Sequence, residues 1–237
     1  MAININTVYQ KVLALANKEQ RGYITPQEFN LLADKAQNEI YENYFHQART
    51  SNAKIKDDDQ HTDTLEMIEA KLAPFIETQT NTTVSSGVLT LPSTSIYKLI
   101  SITNSNGQNL LTEVNRTELN YILGFSKYNN ALYPDTTRPI YYRKSSNQIE
   151  IYPNPTNSAS HEVTYYKVPT APKWGYVVVN GKALYNQADS LHFTLSVSEE
   201  ENLVLRILML AGLTIQRPDI IQAGGQGLQM IKQEQNS

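Results

Sequence analysis

The chain has 237 residues, no cysteine and a formal net charge of −3. That length buries a proper core as one large domain or two small ones, and the absence of cysteine excludes disulfides, thiolate nucleophiles and Cys-ligated zinc while fitting a reducing cytoplasmic origin. Residues 1–75 carry 8 Lys and Arg against 11 Asp and Glu, and the remainder 12 against 12, so neither part has the basic excess of a general nucleic-acid binder.

The first six residues, Met1 to Asn6, lack the basic start and apolar core of a signal peptide, so export is not expected. Thr7 is the expected cap of a helix to about Lys18, with Val8, Val12 and Leu15 at helical spacing and Tyr9 and Leu13 widening the stripe. A sharper start signal follows. Thr25 stands at the N-cap, Pro26 at the first helical position and Glu28 where it reaches back in a capping box. Phe29, Leu32, Ala33, Ala36, Ile40 and Tyr44 then mark one face of a helix to Phe45, with Asp34, Lys35, Asn38, Glu39 and Glu42 opposite.

Residues 49–62 offer almost nothing to bury and read as a polar, mobile connection. Thr62 or Asp63 starts a further helix through Leu65, Ile68, Leu72 and Phe75, stopped near Pro74. From Thr78 to Phe193 short β-prone runs alternate with turn clusters. The expected strands are Thr82–Leu91, Ile96–Thr103, Ile140–Lys144, Gln148–Tyr152, Glu162–Val168, Tyr176–Val179 and Lys182–Tyr185, with a helical insertion at Thr117–Leu123. Asn180-Gly181 is the strongest hairpin signal, because both residues tolerate the positive φ of a type I′ turn. Eleven of the 15 tyrosines fall between Tyr97 and Tyr185, where amphipathic rings suit half-buried strands or an interface. Ser198 with Glu201 reads as a second capping box, opening an apolar helix to about Gln216. Its apolar run Leu203–Ile215 is interrupted by Arg206 and is shorter than the roughly 20 residues of a membrane span, so it reads as a core helix and no membrane association is expected. Beyond Pro218 a weak segment, a glycine-rich stretch and a polar tail close the chain.

Nothing marks an active site. Asp57, Asp58, Asp59, Asp63 and Glu66 lack the central glycine and ligand spacing of a calcium loop, and read as a solvated acidic segment. His46, His61, His161 and His192 are scattered, with no two at metal-ligand spacing on one helix. No Gly-x-Ser-x-Gly elbow occurs, and Gly224-Gly225-Gln226-Gly227 lacks the Lys and hydroxyl residue of a phosphate loop. Trp174, beside Pro172 and Lys173, reads as a packing residue. The expectation is therefore no catalytic, cofactor-binding or metal-ligating residue, no cofactor, and no enzyme activity. The fold expected is α+β, a bundle of N-terminal and C-terminal helices with a central antiparallel β domain. Its parts are 1–77, an N-terminal helical part; 78–197, a tyrosine-rich β domain; and 198–237, a C-terminal helix and tail.

The run Tyr141 to Pro155, with its Tyr152-Pro153-Asn154-Pro155, continuing to Glu162–Pro169, resembles the strand, turn, strand passage of many tailed-phage virion proteins. Residues 1–46, above all Gly22 to Asn30, and Ser198–Ile221 resemble the portal-proximal ring and adaptor proteins of crAss-like and other short-tailed phages. The resemblance implies a structural virion protein: a head-to-tail connector ring, commonly of twelve copies, joining the portal protein to other tail and ring proteins. DNA would pass through its lumen without sequence-specific binding, a role that suits the mildly acidic charge. It also implies location in the virion after synthesis in the host cytoplasm. The acidic 49–62 segment and the glycine-rich tail depart from the simplest adaptor pattern. The residues themselves leave one alternative of another class, a tyrosine-lined glycan-binding module for host attachment. Among these surfaces, the helix from Pro26, the 49–62 segment and the chain beyond Pro218 are the expected interfaces.

Overall fold

The computed structural model describes residues 2–17, 24–54, 60–91, 96–104, 110–124, 133–154 and 160–214, together with positions 229, 230 and 233. The chain is α+β and divides into two compact units, one of Met1–Pro74 with Pro169–Ser237, the other of Phe75–Val168. The first unit opens with β1 (Ala2–Ile3), α1 (Ile5–Asn17), α2 (Pro26–Lys54) and α3 (Gln60–Leu72). In the second come β2 (Ile76–Ser85), β3 (Val88–Thr90), β4 (Ile96–Asn104), β5 (Thr112–Glu113), α4 (Arg116–Gly124), β6 (Ile140–Arg143), β7 (Gln148–Tyr152) and β8 (Ser160–Lys167). On returning to the first unit the chain forms β9 (Tyr176–Val179), β10 (Lys182–Tyr185), β11 (Phe193–Ser196) and α5 (Glu200–Thr214). Residues 169–199, β-like in sequence, thus sit in the same unit as the long helices.

In the first unit α2 packs against α3 and α5, α1 packs against α5, and β1 pairs antiparallel with β11. Phe29, Ala33, Ala36, Ile40, Tyr41 and Tyr44 bury one side of α2, at the 3–4 residue spacing that apolar patterning dictates. Its start is a complete capping box: Thr25 N–H and Oγ donate to Glu28 Oε2 at 2.9 and 2.8 Å, and Glu28 N–H donates back to Thr25 Oγ at 3.2 Å. The helix runs nine residues past the Phe45 end expected from sequence, because 46–54 contains neither glycine nor proline to stop it. That extension and the start of α3 at Gln60 turn most of the expected 49–62 connection into helix; residues 55–59 lie outside the described residues.

Two expected caps are corrected. Helix α1 begins two residues before Thr7, and Asn4 caps it by accepting from the backbone N–H groups of Asn6 at 2.8 Å and Thr7 at 3.3 Å. An Asx side chain satisfies two N-terminal donors at once, which moves the start upstream. Leu15, expected in the buried stripe, is 48% exposed. At the other end of the chain Ser198 caps nothing: a 3-10 turn over Val197–Glu199 precedes α5, and Ser198 Oγ bonds Ser196 Oγ at 3.2 Å. The reason lies in Glu199, whose side chain is drawn inward to Lys71 and Asn202.

The second unit is one seven-stranded sheet in the order β4-β8-β2-β3-β7-β6-β5, antiparallel except for the β5–β6 pair. Strand β2 is its seam, pairing through Ile76–Gln79 with β8 and through Val84 and Ser85 with β3. Alternate residues of β7 and β8 point inward, and Ile149, Ile151, Val163 and Tyr165 join Val84, Leu89, Leu99, Ile102 and Tyr141 in one core shared by both halves of the sheet. Helix α4 buries Leu119 and Ile122 against Val114 and Ile140. The expected single strand Thr82–Leu91 is instead a hairpin, turned at Ser86 and Gly87 with φ of 51° and 77°. Glycine suits the φ of 77° at position 87, which other residues adopt only under strain, and a Cβ there would also require the Asn154 side chain to move.

Thr25→Ala is expected to cost about 1 kcal/mol of stability in urea unfolding, the usual value of such a cap. The backbone N–H of Thr25, then its hydroxyl, hold the Glu28 carboxyl below its ordinary 4.5. A carboxyl lowered on folding stabilises fully above its unfolded value, and that contribution is lost as pH falls through the lower folded one. Glu28→Gln should therefore flatten part of the acid limb of the melting temperature below about pH 5, while leaving neutral-pH melting less affected than Thr25→Ala.

Candidate interaction surface

The segment returning from the sheet, Pro169-Thr170-Ala171-Pro172-Lys173-Trp174-Gly175, has too much proline to form a regular element. Side chains of α2 hold it instead. Gln37, fully buried, donates from Nε2 to the Thr170 carbonyl at 2.9 Å and accepts from Thr194 N–H at 3.0 Å. One register up the same helix face, Asn30 accepts from Trp174 N–H at 2.7 Å and donates to the Trp174 carbonyl at 3.3 Å. Backbone groups that no strand pairs are thereby satisfied by two amide side chains seven residues apart.

Trp174 itself is 2% exposed and donates from Nε1 to Asn6 Oδ1 at 3.0 Å. Its ring lies 4.4 Å from that of Tyr9 and 5.8 Å from those of Tyr176 and Tyr185, all within the offset and tilted range that aromatic quadrupoles favour. The indole is therefore a packing residue, as its surroundings in sequence suggested, and it offers no open face on which a sugar could stack. What it supports is the root of a hairpin. Gly175 is pinned between Asn186 N–H, which donates to its carbonyl at 2.8 Å, and Ser190 Oγ, which accepts from its N–H at 2.9 Å. A Cβ there would stand 2.7 Å from the Asp189 backbone, so only glycine allows this closure.

From that root β9 and β10 run out as a two-stranded antiparallel ribbon in which Tyr176 faces Tyr185 and Val179 faces Lys182. The turn is the expected one, with φ of 49° at Asn180 and 75° at Gly181. Antiparallel strands ordinarily bury one face and wet the other. Here Val177, Val178, Val179 and Leu184 are 51%, 62%, 46% and 53% exposed, so apolar side chains point to solvent from both faces of the ribbon. An isolated hairpin is marginal in water, and a clustered exposed apolar patch marks a contact surface. The aromatic root anchors the ribbon at one end, while the valines and Leu184 of its outer half stay exposed among the described residues.

Among the described residues the buried and half-buried carboxylates Glu199 and Glu150 are both paired. Glu199, 3% exposed, accepts from Lys71 Nζ at 2.8 Å and from Asn202 Nδ2 at 2.8 Å. Burial, and then the neighbouring Glu199 carboxylate, push the Tyr44 phenol far up, against a smaller opposing pull from Arg206. Arg206 pairs in turn with Glu39 at 3.4 Å, which explains the one charge inside the apolar helix. On the sheet, Glu150 accepts from Tyr152 at 2.8 Å and Tyr142 at 3.1 Å and pairs with Lys144 at 3.5 Å. Its burial acts to raise the carboxyl, but the two hydroxyls and then Lys144 outweigh it and hold the group below the usual range. Burial and Glu150 move the Tyr152 phenol up to about 12. Both carboxylates accept from at least two donors, and neither lines the cavity described next. A cavity of about 600 Å³ lined by Ala2, Pro74, Thr170, Leu191 and His192 contains one titratable ring, whose Nδ1 already accepts from Ile5 N–H at 3.3 Å.

Of the residues that sequence singled out, His46 lies on α2, His61 on α3, His161 is buried on β8 and His192 precedes β11. Among the described residues no three His, Asp or Glu gather as a metal site, and no helix is long and apolar enough to cross a membrane. Asp57 to Asp59, the glycine stretch at 224–227 and nearly all of the chain beyond Pro218 fall outside the described residues. The Pro26 helix, expected as an interface, spends its apolar face on the unit's own core. The turn signal of the hairpin reveals pairing and not what covers the pair, so its exposure has no mark in the sequence. Residues 30–185, more than half of the chain, match the family described as SU10 adaptor protein, and no curated protein matches the chain.

Trp174→Ala is expected to cost about 3–5 kcal/mol in urea unfolding, the range for deleting a buried large aromatic. Lys71→Met strands the Glu199 carboxylate and should cost about 3–5 kcal/mol, whereas Lys71→Met with Glu199→Leu should recover most of the loss, because the unpaired charge is then gone.

Proposed function

We propose that this chain, which belongs to the SU10 adaptor protein family, is a subunit of a closed connector ring between the capsid portal and the tail. The family is one of phage head-to-tail adaptors, a structural class and not an enzyme class, which makes the chain a bacteriophage structural adaptor and a virion component. In the ring we infer, about twelve copies surround a lumen through which DNA passes without sequence-specific recognition. The portal protein lies on one side and further tail or ring proteins on the other. Helices α1, α2, α3 and α5 serve as one bundle that sets the wall of the ring, a reading supported by the packing of α2 on α3 and α5 and of α1 on α5. The chain works by matched surfaces, and carries out no reaction.

The observation that carries this reading is the exposed apolar ribbon of β9 and β10 on a chain of this family. A monomer gains nothing from holding three consecutive valines in water, whereas a subunit of an assembly requires such a surface. The glycan alternative, a tyrosine-lined module, gains no support from Trp174, whose ring is buried by Tyr9, Tyr176 and Tyr185.

Electron microscopy of the purified full-length chain, with mass measured under native conditions, is expected to show closed rings of one copy number. A monomer that persists at high concentration and also in the presence of a portal ring would overturn the assignment.

A further inference from the structure

The first unit carries, besides the ribbon, an open groove of about 450 Å³ between α1 and α5, lined by Lys11, Ala14, Leu15, Glu201, Val204 and Leu205. Its floor is aliphatic and Leu15 stands exposed in it. The charges on its rim are unequal. Lys11 pairs directly with Glu200 at 2.6 Å and feels Glu201 at longer range, so Glu201, exposed in the first turn of α5 and without a direct ion pair among the described residues, leaves the rim with one carboxylate in excess. The ribbon shows the reverse: four exposed aliphatic side chains and one charge, Lys182, at the tip, also without an ion-pair partner among the described residues.

We propose that the β9–β10 ribbon of one copy seats one face in the α1/α5 groove of the next, with Val177, Val179 and Leu184 against Leu15 and Leu205 and with Lys182, on that same face, meeting Glu201. This rests on the ring reading and names the contact that builds it. The two surfaces are complementary in both respects that matter: apolar side chains meet an apolar floor, and an unpaired cation meets the carboxylate in excess. They also lie on different flanks of the subunit. At about 100° per residue, Asn6 and Tyr9, which hold the ribbon's root through Trp174, fall on the side of α1 opposite Lys11, Ala14 and Leu15. A projecting element on one flank and a recess on another give a heterologous contact, which repeats head to tail and closes when the rotation allows.

The absence of cysteine makes the contact directly testable. Full-length Lys182→Cys and Glu201→Cys variants are mixed under mild oxidation. A disulfide-linked pair containing one of each, absent when either is oxidised alone, is the expected result. Lys182→Glu and Glu201→Lys should each weaken self-association about tenfold, and mixing or combining them should restore it, a rescue that simple misfolding does not produce. Linkage of Lys182→Cys to itself, with none in the mixture, overturns the proposal in favour of ribbon-to-ribbon pairing. Protection of Leu15→Cys from a thiol reagent in the dilute monomer, relieved on deleting residues 215–237, assigns the groove to the chain's own tail and also overturns it. Rings without the mixed cross-link refute this contact and leave the ring reading standing. A wild-type chain that never associates, alone or with a portal ring, removes both.

Discussion

A single buried carboxylate governs how the helices of the first unit meet. Glu199 ends the 3-10 turn before α5, and in accepting from Lys71 it ties the start of α5 to the end of α3. The same carboxylate lies beside the Tyr44 phenol of α2, over whose ring the Lys71 ammonium stands at 5.9 Å from the centroid. Three helices therefore converge on one charge pair. Apolar packing alone tolerates sliding along a ridge, because one aliphatic contact substitutes for another at small cost. A buried ion pair does not, since any register that separates it leaves a charge without solvent or partner. Arg206 and Glu39 add a second fixed point, one to two turns along α5 and α2.

Much of this was legible in the sequence, and the failures have identifiable causes. The Thr25 capping box and the Asn180-Gly181 turn are local chemistry, fixed by two to four adjacent residues, and both form as read. Strands β7, β9 and β10 and the helical insertion α4 follow from short-range patterning for the same reason. The Ser198 box has the right letters but loses to a tertiary partner, because Lys71 lies more than a hundred residues away and no local rule contains it. Helical patterning marks neither Gln37 nor Asn30 for a role. Their role depends on a proline-rich segment over 130 residues downstream that needs donors and acceptors. The groove and the exposed ribbon were illegible on principle: periodicity shows that a residue has an apolar face, and only the assembled chain shows whether anything covers it.

The ribbon is an edge problem left open by design. Two-stranded sheets expose unpaired backbone groups along both sides, and natural chains blunt such edges with charge, proline or bulges. Strand β4, at one end of the seven-stranded sheet, is blunted in this way, with two register irregularities and Lys98 along it. By contrast the β9–β10 ribbon pairs in perfect register over four residues, has one lysine at its turn and otherwise shows valine and leucine. One chain thus holds both a protected edge and an unprotected one.

The magnitude of the ribbon's apolar surface limits what it does in an assembly. Fully burying an aliphatic side chain is worth about 1.5–3 kcal/mol. With Val177, Val179 and Leu184, the three on the seating face, already about half covered, seating them in a groove supplies roughly half of that apiece. The sum is no more than the lower part of the roughly 4–15 kcal/mol lost when two molecules surrender their independent motion. Such a contact fixes register and handedness between neighbours without supplying the whole affinity of the interface. A closed ring changes the arithmetic, because the last subunit makes two such contacts while losing its freedom once, and the gain from closure appears without any new kind of contact. A modest, specific plug is thus the element suited to a ring that forms as a complete circle and leaves few partial arcs.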